Sequence, residues 1–146
     1  MGQKQPYLKH VDETDRRGVS FLIVEEGRVN AYGALCWLEK WSAKHFADFG
    51  TYVGNWCDGH NIKTQAHPWD SGEALGKKYP NSFVFKPGNH RFYGYRYHPK
   101  ERPDNFDAVV LICHDAKYEK NTDETNLKIV AEYRLKYPNL PWPNAA

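Results

Sequence analysis

The sequence has no apolar run of about 18 residues, only one methionine, and three cysteines that form no CxxC pair or regular framework. Each shortage excludes something. Without a long apolar run, no helix is expected to span a bilayer. The opening residues alternate charged and polar groups and hold no apolar core ahead of a cleavage signal, so a secreted precursor is not expected. Cys36, Cys57 and Cys113 are odd in number and widely spaced, which fits free thiols in a reducing cytoplasm. Cys113 beside His114 and Cys57 near His60 are the available Cys–His couples, but close sequence neighbours rarely face one another as nucleophile and base. GxGxxG, a Walker loop, HxxxH and HExxH are also missing, so no nucleotide site of those kinds and no regular zinc site is expected. His60 and His67, flanked by Asp58 and Asp70, come nearest to a metal cluster. No cofactor is expected.

What the chain does have is aromatic bulk and unevenly placed charge. Five Trp and ten Tyr among 146 residues supply large burial area per side chain, enough for a packed core despite a mean hydropathy of −0.80. The net charge of +2 conceals a local excess. Seven Lys or Arg stand against one acid, Glu101, between Lys77 and Arg102, while the flanks are slightly acidic. That pattern predicts a local anion-binding surface within a single domain.

Residues 1–17 lack periodicity and read as a flexible arm, residues 18–137 as one domain, and residues 138–146 as a tail that either crosses the core or hangs free. Val19–Val24 reads as a buried strand. Ala34, Trp37, Leu38, Trp41, His45, Phe46 and Phe49 recur every three or four residues, which predicts an amphipathic helix from Tyr32 to Phe49 with Trp37 and Trp41 in the core. Residues 57–80 read as a long connection with a helical turn near its end. Ser82–Lys86, His90–His98 and Phe106–Cys113 read as strands, the last central, and Leu127–Tyr137 as a closing helix with Leu127, Val130 and Ala131 inward. Short turns between successive strands imply an α+β fold, a mainly antiparallel sheet with flanking helices.

Two stretches carry candidate chemistry. In the strand His90–His98, period two places Arg91, Tyr93, Tyr95 and Tyr97 on one face. Arginines neutralise phosphates and exposed tyrosines stack on bases, so this strand, with Lys86 and Lys100 beside it, suits single-stranded RNA. A structural strand with snorkelling arginines is the plainer alternative. The central strand then runs into His114, Asp115, Lys117, Tyr118 and Lys120. RNA cleavage without metal needs a group to deprotonate a 2′-hydroxyl, a cation for the phosphorane-like charge, and an acid for the leaving oxygen. Those residue types supply all three, although an ordinary solvated turn would read the same way.

In this order the two stretches resemble the RelE/HigB-type toxins, including phage-encoded relatives, over roughly residues 80–137. Phe85-Lys86-Pro87-Gly88-Asn89-His90-Arg91-Phe92-Tyr93-Gly94-Tyr95-Arg96 looks like the family's basic strand. Val109-Val110-Leu111-Ile112-Cys113-His114-Asp115-Ala116-Lys117-Tyr118-Glu119-Lys120-Asn121-Thr122 looks like its apolar strand and lysine-bearing loop, and Ala131-Glu132-Tyr133-Arg134 like its closing helix. The resemblance implies a RelE-like fold and a cytoplasmic endoribonuclease that cuts mRNA, often on the ribosome, by metal-free acid–base chemistry under restraint by an antitoxin protein. Carried across, Arg96 is the strand arginine, Lys117 and Lys120 the paired lysines, and His114 with Asp115 the polar pair ending the strand. Arg96 and Lys117 would then hold phosphate, His114, Tyr118 or Asp115 would move protons, and Tyr93 or Tyr95 would stack on a base, with Lys86, Arg91, Lys100 and Lys120 along the RNA.

Here Tyr118-Glu119 separates the two lysines and no second Tyr-Arg-Val strand precedes Phe106. These departures favour the alternative of a non-catalytic RNA- or protein-binding member of the same fold. An unrelated α+β enzyme using the His60–Asp70 loop is the third reading.

Overall fold

The computed structural model describes residues 5–24, 31–69, 72–116 and 124–144. Among these, six strands form one sheet: β1 (Tyr7–Glu13), β2 (Arg17–Ile23), β3 (Ala66–Pro68), β4 (Ser82–Phe85), β5 (His90–Tyr97) and β6 (Asp107–Ala116). Their order is β1-β2-β6-β5-β4-β3, with β2 and β6 parallel and the other neighbours antiparallel. The near-continuous apolar run of β6 follows from this position, because a strand covered on both faces cannot alternate with polar residues. The protein is α+β with a mostly antiparallel sheet, as the short turns imply.

Residues 7–13, expected to belong to a flexible arm, are instead the edge strand β1. Leu8 packs on one face of the sheet and Val11 on the other, and Val11 is the extra residue where the register shifts between His10 and Asp12. The irregularity erases the period-two signature by which strands are recognised.

The predicted long helix is two helices, α1 (Ala31–Trp41) and α2 (Ala43–Cys57), separated at Ser42 (φ −149°, ψ 74°). Both pack on one face of the sheet, where Leu38, Phe49, Val53 and Trp56 join Phe21, Phe83, Phe85 and Phe92. α1 faces the sheet with Ala31 and Leu38, and the expected core tryptophans end outside the core: Trp37 is 56% exposed and Trp41 64%. The connection at 57–80 contains β3 and a short helix, α3 (Ala74–Lys78).

On the opposite face lies α4 (Glu124–Lys136), with Leu127 and Val130 fully inward as predicted and Ala131 half-buried. The tail crosses this face. Trp142 is buried against Phe106 and Tyr97, its Nε1 donates to Glu13 Oε1 at 2.8 Å, and its backbone N–H donates to Glu101 at 2.8 Å. Gly18 makes this possible, since a Cβ there would stand 2.8 Å from both the Phe106 and Trp142 rings.

One irregularity positions the candidate chemistry. Tyr93 pairs with Cys113 but Gly94 with Leu111, so Ile112 is an extra residue in β6. Ile112 and Cys113 consequently both face α4, and His114 moves to the α1/α2 face. Gly94 accommodates the bulge, because a Cβ at that position would run into the Val110 carbonyl oxygen.

Candidate functional site

The functional residues proposed from sequence fall at opposite ends of the sheet. β5 runs from His90, paired with Ala116, to Tyr97, paired with Ala108. His114 is therefore opposite Phe92, whereas Arg96 is opposite Val109. Four residues of strand separate those levels, about 13 Å at the usual rise. Arg96 and His114 do not share one site.

At the His114 end, histidines from three elements meet. His90 Nδ1 lies 2.9 Å from His114 Nε2, and the two rings stack with centroids 5.1 Å apart. The His45 ring, on α2, meets His90 edge-on at 4.9 Å, and Ser42 Oγ lies 2.9 Å from His45 Nδ1. Burial, then the neighbouring His90, pushes the His114 imidazole down to about 4, against a smaller upward pull from Asp115. His90 is lowered as well, by burial, His45 and Arg91. Both rings are thus neutral at pH 7, one donating to the other. On the other face of the sheet, Asp115 pairs in register with Arg91 and accepts a 3.2 Å hydrogen bond from Asn126 Nδ2. Arg91 Nη1 donates to the carbonyls of Gly88 and His90, each at 2.9 Å. Lys86 follows β4 at the same end and is half-buried. Lys117, Tyr118 and Lys120 lie outside the described residues.

Two tyrosines expected to stack on bases are core residues. Tyr93 is 2% exposed and Tyr95 7%, both beneath α4. Burial pushes the Tyr95 hydroxyl up to about 12, with a weaker downward pull from Arg134. The basic segment does not form one face either. Lys78 pairs with Glu124 at 3.0 Å and Arg102 with Glu13 at 2.7 Å, and Lys100 sits exposed in the turn beyond Arg96. Sequence separation hides these partners, 46 residues apart in the first pair and 89 in the second.

Cys57 and Cys113 are buried, and desolvation pushes both thiols up to about 12, so neither presents a thiolate at neutral pH. Cys36 is exposed. In the 57–80 region, His67 faces Glu73 at 3.8 Å, and Asp70 lies outside the described residues. Among the described residues no three His, Cys, Asp or Glu side chains are arranged to hold one metal ion, and no helix is long and apolar enough to cross a membrane.

Sequence reasoning missed His45 and His90 as partners of His114. His45 was hidden in the apolar stripe of a helix, and His90 opened a strand. Only the bulge at Ile112 puts the third ring on their face. Comparison with protein-family models, with curated proteins and with solved structures finds no match.

Proposed function

We propose that this chain is a metal-free acid–base endoribonuclease of the RelE/HigB type that its sequence resembles, working at the histidine end of the sheet. The observation that supports this reading is the 2.9 Å imidazole–imidazole hydrogen bond between His90 and His114, with His45 edge-on behind it. A neutral imidazole with a lowered pKa accepts a proton, and a bonded neighbour shares it. Such a pair would take the proton of a ribose 2′-hydroxyl as that oxygen attacks phosphorus, and return one to the departing 5′-oxygen. Lys86, at the same end, and Arg91, whose guanidinium turns back onto the Gly88 and His90 carbonyls, supply cations for the charge developing on phosphate. Lys117, Tyr118 and Lys120, which follow this end in sequence, keep the roles that the resemblance implies. Arg96, Tyr93 and Tyr95 have no part in this chemistry.

The test is cleavage of single-stranded RNA, free and on ribosomes, in the presence of EDTA. Substituting His90→Gln or His114→Gln should each slow cleavage by on the order of 10²-fold, the usual scale for a lost general acid or base. Loss of activity with chelator, or full activity in both variants, would refute the reading.

The separation of Arg96 from His114 favours a second reading, a non-catalytic RNA- or protein-binding member of the fold. In that case RNA binding persists without any cleavage, on or off the ribosome.

A further inference from the structure

We propose that the opposite end of the sheet holds a separate binding site for a small phosphorylated sugar. Arg17, at the start of β2, and Arg96, near the end of β5, line one cavity of about 420 Å³ together with Lys63 and Trp56. Two guanidinium groups lining one cavity repel unless an anion compensates them. Among the described residues neither has an ion-pair partner. Arg17 Nη1 donates to the Trp56 carbonyl at 3.0 Å and to Asn61 Oδ1 at 2.9 Å, and its guanidinium lies 4.8 Å from the Trp56 ring centroid. Arg96 is half-buried, and its Nε is wholly buried with no hydrogen-bond partner.

The available carboxylates make this more telling. Asp107 is the register partner of Arg17 across β2 and β6, the easiest place for an ion pair, yet its carboxylate faces His98 at 3.5 Å. Glu73, the other acid on the cavity, faces His67 at 3.8 Å. A buried unpaired donor is costly, and an anion bound beside the guanidinium is one reason for a folded chain to keep it.

The donor set defines the ligand. Three cations, two of them forked guanidiniums, match the dianion of a phosphate monoester better than a single carboxylate. The cavity is larger than a bare phosphate requires, and the Asp107 carboxylate on its wall is an acceptor suited to a sugar hydroxyl. Ala66, Pro68 and Phe83 give the remaining wall an apolar surface for ring carbons. The shared chemistry is therefore a sugar phosphate, free or as part of a nucleotide.

The site stands apart from the histidine end, so it is tested by binding and not by cleavage. Ribose 5-phosphate, uridine 5′-monophosphate, uridine and inorganic phosphate would each be titrated into the full chain by calorimetry, with the arginine Nε–H resonances followed by NMR. The expected result is saturable binding of a phosphorylated sugar, at least tenfold tighter than uridine or inorganic phosphate, with the Arg96 Nε–H resonance shifting. A preference between the two phosphorylated probes identifies the source as a free sugar or a nucleotide. Arg96→Gln should weaken binding at least tenfold and Lys63→Gln at least threefold, while Lys44→Gln, on an exposed turn of α2, should leave it unchanged. Lys63 is exposed, so its variant remains informative if Arg96→Gln fails to fold. No binding at millimolar concentration, uridine binding as well as its phosphate, or Lys63→Gln and Arg96→Gln both binding like wild type would overturn the proposal.

Discussion

His90 and His114 bond to one another across β5 and β6 although they are not register partners. Phe92 stands opposite His114 and Ala116 opposite His90, so the two imidazoles meet on the diagonal. The Phe92 ring also lies 4.9 Å from His114, completing the enclosure that keeps the pair neutral.

That enclosure predicts a pH effect on stability. The His114 imidazole is held near 4 in the folded chain but titrates near 6.5 when unfolded. Between those values the unfolded state binds more protons, so stability falls as pH falls. The contribution is fully present above about pH 6.5 and lost by about pH 4, and amounts to on the order of 2 kcal/mol after solvent screening of a partly exposed ring. Urea midpoints of wild type and His114→Gln, taken at about pH 7 and about pH 4.5, should show the larger acid loss in wild type. Equal losses would mean that His114 is free to protonate in the fold.

The two exposed tryptophans should be nearly silent in stability. Trp37→Ala and Trp41→Ala are expected to change unfolding free energy by no more than about 0.5 kcal/mol, as surface substitutions do. Leu38→Ala, one residue from Trp37 and fully buried, should cost about 2–5 kcal/mol. Chemical denaturation of the three variants checks this. A large loss at Trp37 would place it in a packed interface.

The tail should be part of the cooperative fold. Trp142 is buried, and Glu13 ties it to Arg102 through hydrogen bonds of 2.8 Å and 2.7 Å. Burial raises the Glu13 pKa, but the bonds from Arg102 and Trp142 outweigh it and hold the carboxyl below its ordinary value. Trp142→Ala should therefore cost about 3–5 kcal/mol in thermal or urea unfolding. An unchanged midpoint would show that the tail contributes nothing to the core.

Much of the architecture is local and could be read from residue order. The β6 run, the Pro87-Gly88-Asn89 turn and the spacing of Leu127 and Val130 each satisfy a requirement of their own element, so composition and period reveal them. His114 and Arg96 were likewise visible as residues of consequence, since an imidazole after an apolar strand and an arginine within an aromatic one both stand out. Their neighbours were not. The alternation of β1 slips at its own irregularity, and the apolar spacing of the helical segment does not tell that α1 faces the sheet with Leu38 and leaves Trp37 and Trp41 outside.

What the sequence determined by itself is an α+β chain with a buried central strand, a closing helix and a supply of histidine, arginine and lysine without regular metal spacing. What the tertiary structure alone decided is which of those groups meet. One extra residue at Ile112 sends His114 to the face of His45 and His90, and the antiparallel pairing of β5 with β6 carries Arg96 to the far end, beside Arg17. The physical reason is that a strand's side chains reverse face with every residue, so a single-residue shift in pairing reassigns them all. That shift is settled by the packing of both faces at once, which no local stretch of sequence contains.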